Sequence, residues 1–343
     1  TADQKIYMRD STGIVVVADT ATGSGSVDGM AINLGDVAIP QSTVYAAVSK
    51  FLTSAAPSLA ASSATDLFST ESTTNASIVD TLTSIENVTT GAGIDFVVGS
   101  AGTNVIITDD AADYVSGGAG DDYIKADVSG DADVDVVDGG TGNDTFVYSD
   151  ATADIYVESA TGGVDTILVN GDLSIATLKT GASVATAAVG ALSNFEQIVV
   201  GTSNTATVLG AQLSTLTINV SEVAAGTSAV VVTATGGGTT DLSNLTFNAS
   251  TYVDATGTMV ASNAMTSGTD TITINGADGT AETVVGSSYI DTVNLGTGAD
   301  VYTATSGDIV VFSAGDSQTG AAIVSGTTVL GTADKIIAPS SGS

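Results

Sequence analysis

Apolar residues along this chain come in short runs of strand length, such as residues 14–18, and none approaches the roughly 20 residues of a membrane span. From residue 90 the alternation of polar and apolar positions settles into a nine-residue period: TGAGIDFVV (90–98), GSAGTNVII (99–107), TDDAADYVS (108–116) and GGAGDDYIK (117–125). Each unit has Asp or Asn at its sixth place and an aliphatic residue at its eighth. After a four-residue insertion, 126–129, the same frame resumes as GDADVDVVD (130–138) and GGTGNDTFV (139–147). Two of these units, 117–125 and 139–147, satisfy GGxGxDxUx in full, where U is aliphatic or aromatic. The pattern predicts half turn and half strand per unit, with the eighth-place side chain turned into a core. Two units then make one coil, and turns stack on alternate sides.

A second block near the C-terminus, ADGTAETVV (277–285), GSSYIDTVN (286–294) and LGTGADVYT (295–303), keeps the period but not the paired glycines. Between the blocks, residues 148–276 read as β-prone runs (ADIYVES, VDTILVN, FEQIVV, TATVL, STLTINV, AVVVTAT, LTFNAS, DTITIN) separated by Gly, Asn, Ser or Asp. Residues 1–89 differ. DQKIYMRD and TGIVVVAD read as two strands about a Ser-Thr-Gly turn. Pro40 stands where a helix would begin, with Val44, Val48, Phe51, Leu52 and Ala55 at helical spacing before Pro57. The expected class is therefore all-β, a parallel β-helix or β-roll with one helix in a small N-terminal region. Four regions are expected: 1–89, an N-terminal region that could carry an assembly contact; 90–147, a regular β-roll; 148–276, a Ser/Thr-rich β-stack; and 277–343, degenerate repeats and a cap.

Composition narrows the chemistry. The 343 residues contain 6 Lys plus Arg against 38 Asp plus Glu, a formal charge of −32, with no His, Cys or Trp. Thiolate chemistry, His-based nucleophile relays and zinc sites of nitrogen and sulfur ligands are excluded. One arginine, Arg9, and five lysines cannot neutralise a phosphate backbone, so neither nucleic acid nor an anionic membrane is an expected partner. An enzyme is not expected either: a sugar lyase or glycosidase on this scaffold would want a basic residue near the abstracted proton and Trp platforms. Of the 38 acids, 32 are Asp, a short oxygen ligand favoured in turns. From residue 201 to 267 the only acids are Glu222, Asp241 and Asp254, leaving a Ser/Thr surface suited to packing against a copy of itself.

Any metal must be held by oxygen, and the nonapeptide offers it. Glycines at its first, second and fourth places permit positive φ and let carbonyls point at one centre, while the sixth-place carboxylate adds charge. Calcium is the expected ion. Gly117, Gly118, Gly120 and Asp122 form one full turn, and Gly139, Gly140, Gly142 and Asp144 the turn facing it. Asn104, Asp122 and Asp144 should line one edge of the stack, and Asp95, Asp113 and Asp135 the other. Asp109, Asp110, Asp121, Asp131, Asp133 and Asp138 are spare oxygens. In the C-terminal block Asp291 and Asp300 are weaker candidates, with Glu282 a partial partner for Asp300, and Asp270, Asp278, Asp308 and Asp316 are turn residues only. Glycine-rich turns with solvated acids are the alternative at every position, and a metal-free coil at the C-terminal block.

The repeats GGAGDDYIK and GGTGNDTFV, with LTSIENVTTGAG (82–93), VDTILVNGDLS (164–174) and LSNFEQIVVGTS (192–203), resemble the RTX-type calcium-dependent surface-layer proteins of Gram-negative bacteria. The resemblance implies a secreted, extracellular β-solenoid that binds several calcium ions and polymerises with itself at the cell surface or in an extracellular matrix. It further implies type I secretion through an uncleaved C-terminal signal, and cell-surface polysaccharide as an anchoring partner. Residues 1–89 are short for a large anchor, which points to a filament, tube or sheet. The alternative is a calcium-stabilised ice-binding or adhesive module, since Thr-x-Thr occurs at 215–217 and 271–273, expected as isolated pairs.

Overall fold

The structure, a computed structural model, describes residues 14–20, 27–33, 87–89, 95–99, 102–108, 112–126, 133–150, 153–158, 162–182, 186–234, 236–277, 279–305, 307–311, 322–324 and 335–337. It divides into two compact units, Thr1–Ile167 with Thr177–Ala188 and Tyr252–Val260, and Leu168–Ala176 with Val189–Thr251 and Ala261–Ser343. Both are parallel β-solenoids. The helix expected near residues 40–57 lies outside the described residues.

In the first unit, strands alternate between two sheets because each nonapeptide supplies one strand and one turn. Strands β1 (Ile14–Thr20) and β2 (Val27–Asn33) precede the coils. The coils then run through β3 (Asn87–Thr89), β4 (Asp95–Val98), β5 (Val105–Ile107), β6 (Tyr114–Ala119) and β7 (Tyr123–Lys125). They continue through β8 (Val136–Thr141), β9 (Thr145–Tyr148) and β10 (Ile155–Val157). One sheet stacks Lys179–Gly181, β10, β8, β6, β4, β1 and β2, and the other contains β9, β7, β5 and β3. Val105 pairs with Asn87 and with Tyr123, each 18 positions away, the length of two nonapeptides. Past the insertion the step grows to 22, yet Tyr123 still meets Thr145 and Tyr114 meets Val136. The four extra residues are absorbed without loss of register.

That register puts the eighth-place side chains in two buried columns. Val97, Val115 and Val137 line one wall, and Ile106, Ile124 and Phe146 the other. None of the six is more than 1% exposed, so each contributes about 1.5–3 kcal/mol of hydrophobic stabilisation. Tyr156 extends the first column, its ring 5.2 Å from that of Phe146 and its hydroxyl donating to the Val147 carbonyl.

Two expectations for the N-terminal and middle segments change. β1 has both edges occupied, antiparallel to β2 on one side and to β4 on the other, so its hairpin partner is the downstream segment. The upstream run, residues 3–10, lies outside the described residues. An antiparallel hairpin on β4 covers a parallel edge that would otherwise template pairing with another chain. LTFNAS forms no strand; Thr246 makes one isolated bridge to Asn219. Unpredicted strands include Lys179–Gly181, Thr239–Asp241, Thr251–Val253, Met259–Ala261 and Asn263–Ala264.

In the second unit a six-stranded parallel sheet stacks Leu173–Ser174, Thr205–Leu209, Ala229–Thr233, Thr271–Asn275, Asp291–Asn294 and Ile309–Val310. Its inward side chains include Val208, Val232, Ile274 and Val293, all buried. Another sheet contains Thr239–Asp241, Thr283–Val285, Val301–Thr303 and Lys335–Ile337.

Candidate metal centre

The sixth-place acids do not hang in solvent at the turn tips. They sit where each turn enters its strand, and Asp113, Asp122, Asp135 and Asp144 are all buried. Parallel stacking brings equivalent acids of successive coils together, and each carboxylate accepts the backbone N–H of its counterpart in the coil before. Asn104 N donates to Asp122 Oδ1 at 2.7 Å, Asp122 N to Asp144 Oδ1 at 2.8 Å, and Asp144 N to Asp165 Oδ1 at 2.9 Å. On the other side Asp113 N donates to Asp135 Oδ1 at 2.8 Å and Asp135 N to Asp154 Oδ1 at 3.1 Å. The backbone carbonyls join in, as Asp122 O accepts from Thr145 N and Asp113 O from Val136 N. Asn104, Asp122 and Asp144 thus form one column, and Asp113 and Asp135 another. Asp95 opens β4.

This arrangement leaves anionic oxygen inside the protein. Asp122 Oδ2 and Asp144 Oδ2 are buried and have no hydrogen-bond partner. Burial first, then the charge of Asp144, raises the Asp122 carboxyl to about 9, although the hydrogen bond from Asn104 opposes the rise. Burial likewise raises Asp144 to about 7, against the hydrogen bond from Asp122. A chain without a cation must therefore keep protons here or carry an uncompensated buried charge.

The glycines explain how a cation fits. A Cβ on Gly117 would strike Asp122 Oδ2 and lie 2.6 Å from the Gly139 carbonyl oxygen, so a carboxylate and a carbonyl converge on the space beside that glycine. One coil on, a Cβ on Gly139 would lie 2.6 Å from Asp144 Oδ2. Gly118, Gly120, Gly140 and Gly142 all have positive φ, between 98° and 136°. An all-oxygen set with unpartnered anionic members suits a hard cation such as calcium. Asp121 is used differently, accepting from Asn143 N at 2.8 Å, and Asp133 is exposed. Asp109, Asp110 and Asp131 lie outside the described residues, as do Asp278 and Asp316.

The C-terminal block treats its buried acids in two different ways. Asp291 accepts from Ser287 Oγ on Oδ1 at 2.8 Å, and from Ser287 N and Tyr302 Oη on Oδ2. Both oxygens are engaged, so this turn closes through hydroxyls, and burial raises the carboxyl only to about 6. Asp300 Oδ1 accepts from Glu282 N at 2.8 Å, one coil earlier, and Glu282 Oε2 is buried without a partner. Asp270 and Asp308, expected only as turn residues, accept from Ser228 N and Asp291 N and belong to the same scheme.

Asp154, Glu158 and Asp165 lie beyond the nonapeptide frame, which ends at residue 147. A signal exists for the last. Asp-Thr followed by an apolar residue recurs at 144–146, 165–167, 270–272 and 291–293, each at a strand entry.

Compared with known families, the chain matches the RTX calcium-binding nonapeptide repeat (4 copies) over residues 89–124, 128–147 and 276–308. No curated protein and no solved structure matches the chain. The chain thus carries RTX calcium-binding repeats within a β-solenoid, and its ion is calcium. Such repeats are typical of secreted proteins, and among the described residues no helix is long and apolar enough to cross a membrane.

The two blocks should respond differently to mutation. Asp122→Asn keeps an acceptor for Asn104 N but removes the charge, and is expected to weaken calcium binding at its site about tenfold or more. Asp300→Asn should change affinity less than about threefold, because no complete glycine turn faces it. Calorimetric calcium titration of both variants checks this ranking; equal losses would contradict it.

Proposed function

We propose that this protein is an extracellular structural element that calcium stiffens and that assembles with copies of itself into a layer, filament or matrix. The observation that supports the reading is the outer face of the six-stranded sheet in the second unit. There Thr207, Val231, Thr273 and Thr292 fall in one row across four strands, and Leu209, Thr233, Asn275 and Asn294 in the next. None carries charge and all are part-exposed, in a chain of formal charge −32. Rows of this kind repeat about every 4.8 Å from strand to strand. A second copy can meet such a face without the repulsion that the rest of the molecule would impose.

Calcium acts in two ways in this reading. It cancels charge at fixed positions, and it holds the coils in one shape, so that a contact between different surfaces of neighbouring copies can propagate. Sodium chloride only shortens the Debye length, to about 10 Å at 0.1 M. Light scattering of chelated protein should therefore rise with calcium chloride and not with sodium chloride at matched ionic strength. Val231→Asp should suppress that rise while calcium binding is retained. Assembly in sodium chloride alone, or none in either salt, would contradict the reading.

A second reading has one observation in its favour. The pair Thr271 and Thr273 lies in register with Ala229 and Val231, which in turn align with Thr205 and Thr207. The Thr-x-Thr pairs are thus ranked on one face, separated by one strand, whereas Thr215 has positive φ and lies outside any strand. An adhesive or ice-binding module would use this face as a monomer. Monodisperse rods in calcium, with inhibition of ice recrystallisation, would favour it.

A further inference from the structure

The register of the first sheet makes one substitution in the repeat conspicuous. Val98, Ser116, Asp138 and Val157 are equivalent in successive coils, so the residues that follow them are Gly99, Gly117, Gly139 and Glu158. Glycine holds the first three of these positions because the sixth-place side chain of the same repeat lies over it. The fourth coil has a glutamate there instead, and its backbone is fixed by Glu158 N donating to Gly181 O at 3.0 Å. Its side chain turns back toward the preceding coil. A Cβ on Gly139 would lie 2.5 Å from Glu158 Oε2 and 2.6 Å from Asp144 Oδ2, while one on Gly162 would meet Glu158 Oε1 and lie 3.2 Å from Asp165 Oδ2.

Asp144, Glu158 and Asp165 therefore converge, with one carboxylate oxygen from each lying within 4.8 Å of the other two. All three residues are at most 1% exposed. Asp144 Oδ2, buried and without a hydrogen-bond partner, is aimed into the cluster. Asp165 is held in place by the Asp144 amide.

We propose that Asp144, Glu158 and Asp165 form a further calcium site that ends the acidic column, beyond residue 147 where the recognised repeats of this block stop. Three carboxylates at one point make it more anionic than a site built from one aspartate and backbone carbonyls. Its calcium is therefore the tightest bound and the last that a chelator removes. Magnesium, which holds on to several waters, is a poor substitute in so enclosed a cluster. Glu158 is the determinant, because its longer side chain spans from the strand end at β10 to both Asp144 and Asp165.

The test is calcium titration of the full chain by calorimetry, with melting curves in calcium and in chelator, for the parent and for Glu158→Gln. The variant is expected to bind one ion fewer and to lose the tightest phase. It should melt lower than the parent in calcium but as high or higher in chelator, where a buried charge has been removed. Asp165→Asn, which preserves an acceptor for the Asp144 amide, is expected to weaken the same phase about tenfold or more. Unchanged stoichiometry and affinity in both variants would overturn the proposal. So would a melting temperature of Glu158→Gln lowered equally in both conditions, which would mark Glu158 as a packing residue.

Discussion

Chelating calcium is expected to lower the melting temperature of the coil stack by about 10 °C or more. The physical source is the column of buried carboxylates. Asp122 Oδ2 and Asp144 Oδ2 have no protein partner, and closing the coils forces them out of water. At free calcium about 100 times the dissociation constant, each independent site adds about 2.7 kcal/mol to folding stability. Two such sites add about 5 kcal/mol, and for a domain of 150–250 residues each kcal/mol moves the melting temperature by about 2–4 °C. Circular dichroism melts in calcium and in chelator measure the difference directly. Coincident curves would show that the acids are accommodated without the ion.

Gly140→Ala is expected to destabilise the protein by about 3 kcal/mol or more. Gly140 has φ of +102°, a region costing an L-residue about 1–2 kcal/mol, and its missing Cβ would strike the Gly118 carbonyl oxygen in the adjacent strand. That oxygen is backbone, so relief requires the strands to move apart, at a cost of about 1–3 kcal/mol from overpacking alone. Gly190, around which an added Cβ meets nothing within 4 Å, is the control, and Gly190→Ala should fall within about 0.5 kcal/mol of the parent. Urea unfolding of the two variants in excess calcium separates them. Similar midpoints would mean that the glycines are not required by the stacking.

What could be read from the sequence follows from where the nine-residue frame holds. Between residues 90 and 147 every eighth-place residue is apolar and every sixth-place residue is Asp or Asn, so coil length, core columns and acid columns are all legible there. Beyond Val147 the frame breaks, because the coil step changes. Val136 to Ile155 is 19 positions and Ile155 to Lys179 is 24, and no fixed period finds the next acid. Glu158 was hidden for a second reason: it occupies a position where the repeat calls for glycine, and only the register of β10 on β8 reveals the equivalence. Asp291 illustrates the opposite case. Its place in the repeat is regular, but the partners that satisfy it, Ser287 and Tyr302, come from a local turn and from the next strand, and their hydroxyls engage both carboxylate oxygens. The antiparallel docking of residues 14–20 on β4 is likewise a long-range choice, set by an open sheet edge and not by any local pattern.

Calcium that replaces protons on the buried carboxylates of the coil stack must change how stability depends on pH. An unfolded aspartate ionises near 3.8, whereas in the calcium-free fold Asp122 is raised to about 9 and Asp144 to about 7. The folded chain then holds protons that the unfolded chain has released, so calcium-free stability must fall as pH rises from about 4 to about 9. With calcium bound, those carboxylates are ionised and compensated in the fold, and the fall should disappear. Melting temperatures measured from pH 5 to pH 8.5, with and without calcium, are predicted to lie close together at the acid end and to diverge steadily toward the alkaline end. Curves that stay parallel across the range would mean that calcium does not displace protons from these carboxylates.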